Sequence, residues 1–320
     1  MRIKSIGFDP EFFMQDVNGQ MVPAWTFLPP QDEAVALGGD FKMYCDGAAV
    51  ELQTPVFTHA RRANMYRSSV REVREAMHEA VKQIQTTHPY LSLCKESVME
   101  LPEEYREAPE AKVFGCVPDQ NCYTGEYRRI DPEDMGTIRV CGGHVHFAFD
   151  MTELPFDYKK ELDPTFYFMS AFLADAAYYA YEQRERIVPD PRRAKNYGLP
   201  GYFRAKPTYP GIEYRSLDNH WLFVEHSNEF SWFLEDVNDV TWEMLVNFAK
   251  DPQRVKAINE REFDPADAPW MDDVDTLYNV ISDNYGGEEE DFDEEDGWED
   301  DWEDDLDDYD GDYDGDRDYL

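Results

Sequence analysis

Between Arg2 and Phe13 apolar and polar residues alternate, with Ile and Phe prominent at the apolar positions, which predicts a strand with one buried face. Asn18-Gly19 within Asp16 to Gln20 is a hairpin-turn signal, and Met21 to Trp25 resumes the extended pattern, so the chain is expected to open with a β-hairpin. A second strand is expected around Ala48 to Leu52. From Arg61 to Gln85 the period changes: Val70, Val73, Met77, Val81 and Ile84 fall at helical spacing among charges, the pattern of an amphipathic helix laid on a sheet. Thr137 to Asp150 returns to strand and Pro164 to Ile187 is a long apolar helix. Gly211 to Leu217 is a short strand after Pro210, and Glu229 to Lys250 is helical again. Strands and long helices in this order, without βαβ repetition, predict an α+β architecture: helices cover one face of an antiparallel sheet and leave the other for a site.

Composition adds a core and a tail. Of 320 residues 42% are hydrophobic and 15% aromatic, enough for one substantial core or two modest ones. The net charge of -39 is concentrated, since Glu288 to Leu320 holds 21 Asp or Glu against Arg317 alone, leaving about -19 for the remainder. Such a run repels itself, so Gly286 to Leu320 is expected to be a disordered tail and residues 1–285 the folded domain. Asp310, Asp312, Asp314 and Gly315 have the spacing of a calcium loop but lack its closing Glu. The tail is better suited to solvating the protein or docking a basic partner. The acidic balance argues against long nucleic acid and anionic membranes as partners. Five cysteines without a Cys-x-x-Cys pair, no secretory leader and no apolar run near the ~18 residues of a membrane span predict a cytoplasmic protein.

Four stretches carry candidate chemistry: Asp9-Pro10-Glu11, Asp46-Gly47 leading to Glu51, His144-Val145-His146 and Glu213-Tyr214-Arg215. In strand-like sequence, residues two apart project from one face. Carboxylates with few imidazoles suit a hard ion, magnesium or manganese, better than zinc. Arg192, Arg193, Lys195, Arg204, Lys206 and Arg215 concentrate positive charge in an acidic chain, and guanidinium groups can hold phosphate oxygens in bidentate fashion. Each feature also has a plain structural reading: solvated strand ends, histidines satisfied in the core, and surface ion pairs. No P-loop, kinase glycine loop, Rossmann fingerprint or nucleophile elbow is present.

Five segments occur in order: Gly7-Phe8-Asp9-Pro10-Glu11-Phe12, Asp46-Gly47-Ala48-Ala49-Val50-Glu51, Phe114-Gly115-Cys116, Gly142-Gly143-His144-Val145-His146 and Gly211-Ile212-Glu213-Tyr214-Arg215-Ser216-Leu217. Tyr197-Gly198 and Phe203-Arg204-Ala205-Lys206-Pro207 lie between the last two. Together, over about Ile6 to Trp221, they resemble the carboxylate-amine ligase type 2 family of tailed bacteriophages, a branch of the glutamine synthetase and glutamate-cysteine ligase superfamily.

The resemblance implies a curved glutamine synthetase-like antiparallel sheet, with helices on the convex face and the active site on the concave one. It implies ATP with two or three Mg2+ ions, Mn2+ being an alternative, held by Glu11, Glu51, His144 or His146, and Glu213. By the same likeness Arg193, Arg204, Lys206 and Arg215 contact phosphate or acyl phosphate, with Arg192 competing for the place of Arg193. Small-molecule or peptide carboxylates and amines are the implied substrates, and the host cytoplasm the implied setting. The general base is open among Asp9, Asp46 and one histidine. Val117 stands where the family commonly has an acidic residue after Phe114-Gly115-Cys116, and a closing loop is expected within Glu110 to Pro132. Two rival readings remain: a phosphotransferase of the same fold, and a non-catalytic phage protein that engages its partner through the acidic tail.

Overall fold

The computed structural model describes residues 3–58, 65–112, 119–122, 125–128, 136–150 and 209–223, and, with gaps, 167–206 and 230–238. Its centre is one long strand, β1 (Ile3–Gln15), in which Ile6, Phe8, Phe12 and Met14 enter the main core while Asp9 and Glu11 take the opposite face. Asp16 turns the chain through its side chain, accepting the backbone N–H groups of Asn18 at 2.8 Å and Gln20 at 2.9 Å, with Gly19 at φ +77°. The hairpin partner is short: β2 (Met21–Val22) gives way to a 3-10 turn, Ala24–Thr26.

The next strands are β3 (Val35–Gly38), β4 (Phe41–Asp46), β5 (Ala49–Gln53) and β6 (Phe57–Thr58). After a helix come β7 (Ser92–Cys94), β8 (Val98–Glu100), β9 (Asp119–Asn121), β10 (Tyr127–Arg128), β11 (Ile138–Val140), β12 (Gly143–Phe149), β13 (Tyr202–Ala205) and β14 (Gly211–Tyr214). Among the described residues, twelve strands make one sheet in the order β10-β9-β13-β14-β12-β1-β5-β4-β3, with β2, β6 and β7 pairing with β1 off this path, while β8 and β11 form a separate pair. Every pairing among these described strands is antiparallel. The segment expected as one strand from Thr137 to Asp150 is thus two strands in different sheets. They part at Gly142, whose N–H and carbonyl are both taken by Glu11.

Helix α1 (Met65–Thr87) buries Val70, Val73, Met77 and Ile84 as its period predicts, and Ala80 sits deeper than Val81. The described residues of 167–185 are helical and send Ala171, Ala174, Ala177, Tyr178 and Tyr181 into the same core; Phe230, Phe233, Leu234 and Val237 follow from a further helical stretch. At roughly 1.5–3 kcal/mol for each large apolar side chain buried, this shared cluster is the main source of cohesion. Stacking of Trp221 on Phe230, with centroids 4.4 Å apart, ties the last helical stretch to the sheet end. The molecule therefore has a large antiparallel sheet with helices packed on the face carrying Phe8, Phe12, Val145 and Phe147. Among the described residues no helix is long and apolar enough to cross a membrane. Phe114-Gly115-Cys116, Tyr197, Pro207, residues 239–250 of the last expected helix and the tail from 286 to 320 lie outside the described residues.

Candidate functional site

Strand register assembles the site. His146 of β12 stands opposite Gly7 of β1 on one side and Glu213 of β14 on the other, and Arg204 of β13 stands opposite Glu213. Four residues beyond Gly7 along β1, Glu11 faces Glu51 of β5, which faces Tyr44 of β4. With neighbouring strands ~4.8 Å apart, these residues form a continuous polar field on the face away from the helices.

The field has two electrically different halves. In the first, Glu11, Asp46 and Glu51 bring one carboxylate oxygen each within 4.8 Å of the others. Glu11 and Glu51 are each 9% exposed. Glu11 accepts the Gly142 N–H at 2.6 Å and Glu51 accepts the Tyr44 hydroxyl. These donors do not balance the charge. Burial, followed by repulsion from Asp46, pushes the Glu11 carboxyl up to about 8. Burial and the neighbouring Glu11 and Asp46 push Glu51 well above the ordinary range, and loss of solvent raises Asp46 against the pull of Arg215. Three oxygen ligands, short of positive charge and largely shielded from water, fit a hard divalent cation. Removing the charge by protonation is the alternative.

In the second half, positive charge is abundant. Glu213, 2% exposed, receives Arg215 and Lys206 in close ion pairs and Arg204 at 3.4 Å. Burial opposes ionisation of Glu213, but the positive charge around it, Arg215 foremost and then His146 and Arg204, outweighs it and holds the carboxyl well below its usual range. Asp119 accepts a hydrogen bond from Arg204 Nε at 3.0 Å and forms an ion pair with Arg215, whose Nε lies 2.9 Å from the same oxygen. His146 joins this half, its Nε2 against the Asp9 carboxylate, and Asp9, His146 and Glu213 form a second group of converging ligand atoms.

The two histidines part company here. His144 is 2% exposed, with Nδ1 3.3 Å from an Arg215 nitrogen and 4.0 Å from Glu213. Burial and Arg215 hold its pKa well below the ordinary value, so it is neutral and props the guanidinium. Its ring lies over Gly142, where an added Cβ would come within 2.1 Å of Nε2; at Gly143 a Cβ would meet the Asp218 carbonyl at 2.1 Å. The glycine pair is thus required by close packing.

Among the residues expected from the sequence, Glu11, Asp46 and Glu51 converge in one half, and His146, Glu213, Arg204, Lys206 and Arg215 in the other. Arg193 stands apart. Its guanidinium donates to the carbonyls of Ser216 at 2.8 Å, Leu217 at 2.6 Å, and Cys141 and Gly198 at 3.3 Å, and so anchors the segments behind the site. Arg192 is exposed and paired with Asp190. Sequence reasoning missed Asp119 and Tyr44. Asp119 lies two residues beyond Val117, and that offset was the available signal. No protein-family model and no curated protein sequence matches this chain.

Proposed function

We propose that the chain is an ATP- and magnesium-dependent carboxylate-amine ligase on a glutamine synthetase-like sheet. One observation carries the reading: a cation-poor group of buried and half-buried carboxylates lies beside a cation-rich group on the open face of an antiparallel sheet. Joining a carboxylate to an amine needs both. A carboxylate resists attack by nitrogen until one of its oxygens becomes a leaving group, and phosphorylation by ATP provides this. In the first step a carboxylate oxygen attacks the γ-phosphorus and the bond to the β-phosphate breaks, releasing ADP. In the second the amine nitrogen attacks the acyl carbon, phosphate departs, and the amine loses a proton.

Glu11, Asp46 and Glu51 are the residues suited to hold magnesium, which supplies positive charge to phosphate oxygens when bound. Glu213 fixes Arg215, Arg204 and Lys206 in place, and these cations are positioned to take up the charge on the transferring phosphoryl group. Arg193 serves the scaffold in this reading, and His146, rather than the buried His144, takes the place that the sequence left open between two histidines.

The test is ADP and phosphate release by purified protein with MgATP and pooled amino acids and polyamines, with mass spectrometry of the products. Release that requires both a carboxylate and an amine, with a product mass equal to their sum less water, supports ligation. A phosphorylated product that persists without amine identifies the phosphotransferase reading instead, and absence of magnesium-dependent ATP binding removes both.

A further inference from the structure

Next to Asp9 and His146 the open face of the sheet sinks into a cleft of about 420 Å³. Its floor is built by register: Gly7 faces His146 across the β1–β12 pair and Ser5 faces Ala148. Tyr209 and Pro210 form one wall, and Val56, 61% exposed at the lip, lies on the other. The lining is mostly apolar; its charged groups are the Asp9 carboxylate, which meets His146 Nε2, and the exposed Lys4 further back along β1. The cleft thus opens from the site on the side away from Arg204 and Arg215, which sit over Glu213 and Asp119. Charge is sorted across the site, with guanidinium groups at one side and, at the other, the Asp9 carboxylate beside an apolar trough whose opposite end along β1 carries Lys4. An anionic reactant is favoured at the first and a cation with a hydrocarbon stem at the second.

We propose that this cleft seats the amine substrate, a primary alkylammonium whose charged end meets Asp9 and whose stem lies over Gly7 and Ala148 between Tyr209 and Val56. That the bound amine is a reactant rests on the ligase reading; the binding chemistry does not. Along β1, Ser5 lies ~14 Å from Asp9 at ~3.4 Å per residue, which leaves room for a stem of several methylenes. Each methylene taken from water into the trough improves binding by up to about four-fold. Short amines and ammonia therefore use little of the cleft, and a butyl to hexyl stem, such as a lysine side chain or a polyamine offers, uses most of it.

The probes are n-hexylammonium, ethylammonium, hexanol and hexanoate, titrated into the full-length chain by ligand-observed NMR. Gly7→Leu tests occupancy: a Cβ at Gly7 meets His146 Cβ at 3.8 Å and Thr54 Oγ1 at 3.9 Å, ordinary contacts, so the fold accepts it while the longer side chain fills the trough. Ala148→Leu fills the same floor from β12, and Asp9→Asn removes the charge. Hexylammonium is expected to bind at least ten-fold tighter than ethylammonium or hexanoate. Either leucine variant should weaken it at least ten-fold, and Asp9→Asn should erase its advantage over hexanol. Equal binding of hexanoate, or unchanged binding in both leucine variants, overturns the assignment. Magnesium-dependent ATP binding is measured on the same samples. If it is present and hexylammonium does not bind, the cleft assignment alone fails. If hexylammonium binds and ATP does not, the ligase reading fails and the amine site stands.

Discussion

Replacing Glu11 by Gln should make the metal-free protein more stable. Glu11 is held at about 8 in the fold against an ordinary 4.5, chiefly by burial and then by Asp46. For a raised carboxyl the sign is unambiguous: the folded state keeps its proton where the unfolded chain has lost it. This group costs nothing below about pH 4.5, and the cost grows until about pH 8. At pH 7 the displaced titration covers roughly 2.5 pH units, and at about 1.4 kcal/mol per unit the penalty is about 3 kcal/mol. Gln removes the charge, keeps the volume, and still offers an oxygen to the Gly142 N–H. In EDTA at pH 7 the melting temperature of Glu11→Gln should exceed that of the native protein by on the order of 6–12 °C. The gap should close toward pH 5. Magnesium should reverse the order, since the native trio gains a counter-charge that the variant binds poorly. Thermal unfolding by circular dichroism at pH 5, 7 and 8, with EDTA or magnesium, measures all of this. A variant less stable than the native protein in EDTA at pH 8, or a gap independent of pH, would refute the reasoning.

Glu213→Gln should act in the opposite direction, because it leaves Arg215, Arg204 and Lys206 without their shared carboxylate; a loss of roughly 3 kcal/mol or more is expected in urea unfolding, with or without magnesium. Arg193→Lys should cost about 2–4 kcal/mol, since an ammonium cannot span the four carbonyls the guanidinium reaches. Magnesium-dependent ATP binding should survive in the folded fraction, and its loss there would return Arg193 to the site. Gly142→Ala should displace His144 and with it Arg215; loss of ATP turnover with α1-side packing intact, read by far-UV circular dichroism, is the expected result.

The periodicity of β1, β5, β12, β14 and α1 was legible because each buries one face, and the polar residues on the other face pointed to most of the site. Other strands were not. β4, β9 and β13 lie outside every strand that the alternation predicts, so Tyr44 was not singled out and Asp119 fell within the loop expected from Glu110 to Pro132. Strand alternation placed His144 and His146 on one face but said nothing of Arg215, which arrives from β14 side and covers His144. The density of positive charge between Asp190 and Arg215 suggested one anion site. Local geometry divides it instead, because the helix Pro191–Asn196 directs Arg193 toward backbone carbonyls and Arg192 toward Asp190. The large antiparallel sheet follows from the alternation of its long strands, while the glutamine synthetase-like curvature belongs to the proposed reading.

The central claim is that a substrate carboxylate is phosphorylated before nitrogen attacks it. It is tested most directly by supplying the protein with MgATP, a polyamine pool and 18O-labelled carboxylates, and weighing the phosphate released. Ligation through an acyl phosphate transfers one labelled oxygen from carboxylate to phosphate for each amide formed. Phosphate that forms with amide yet carries no label contradicts the account.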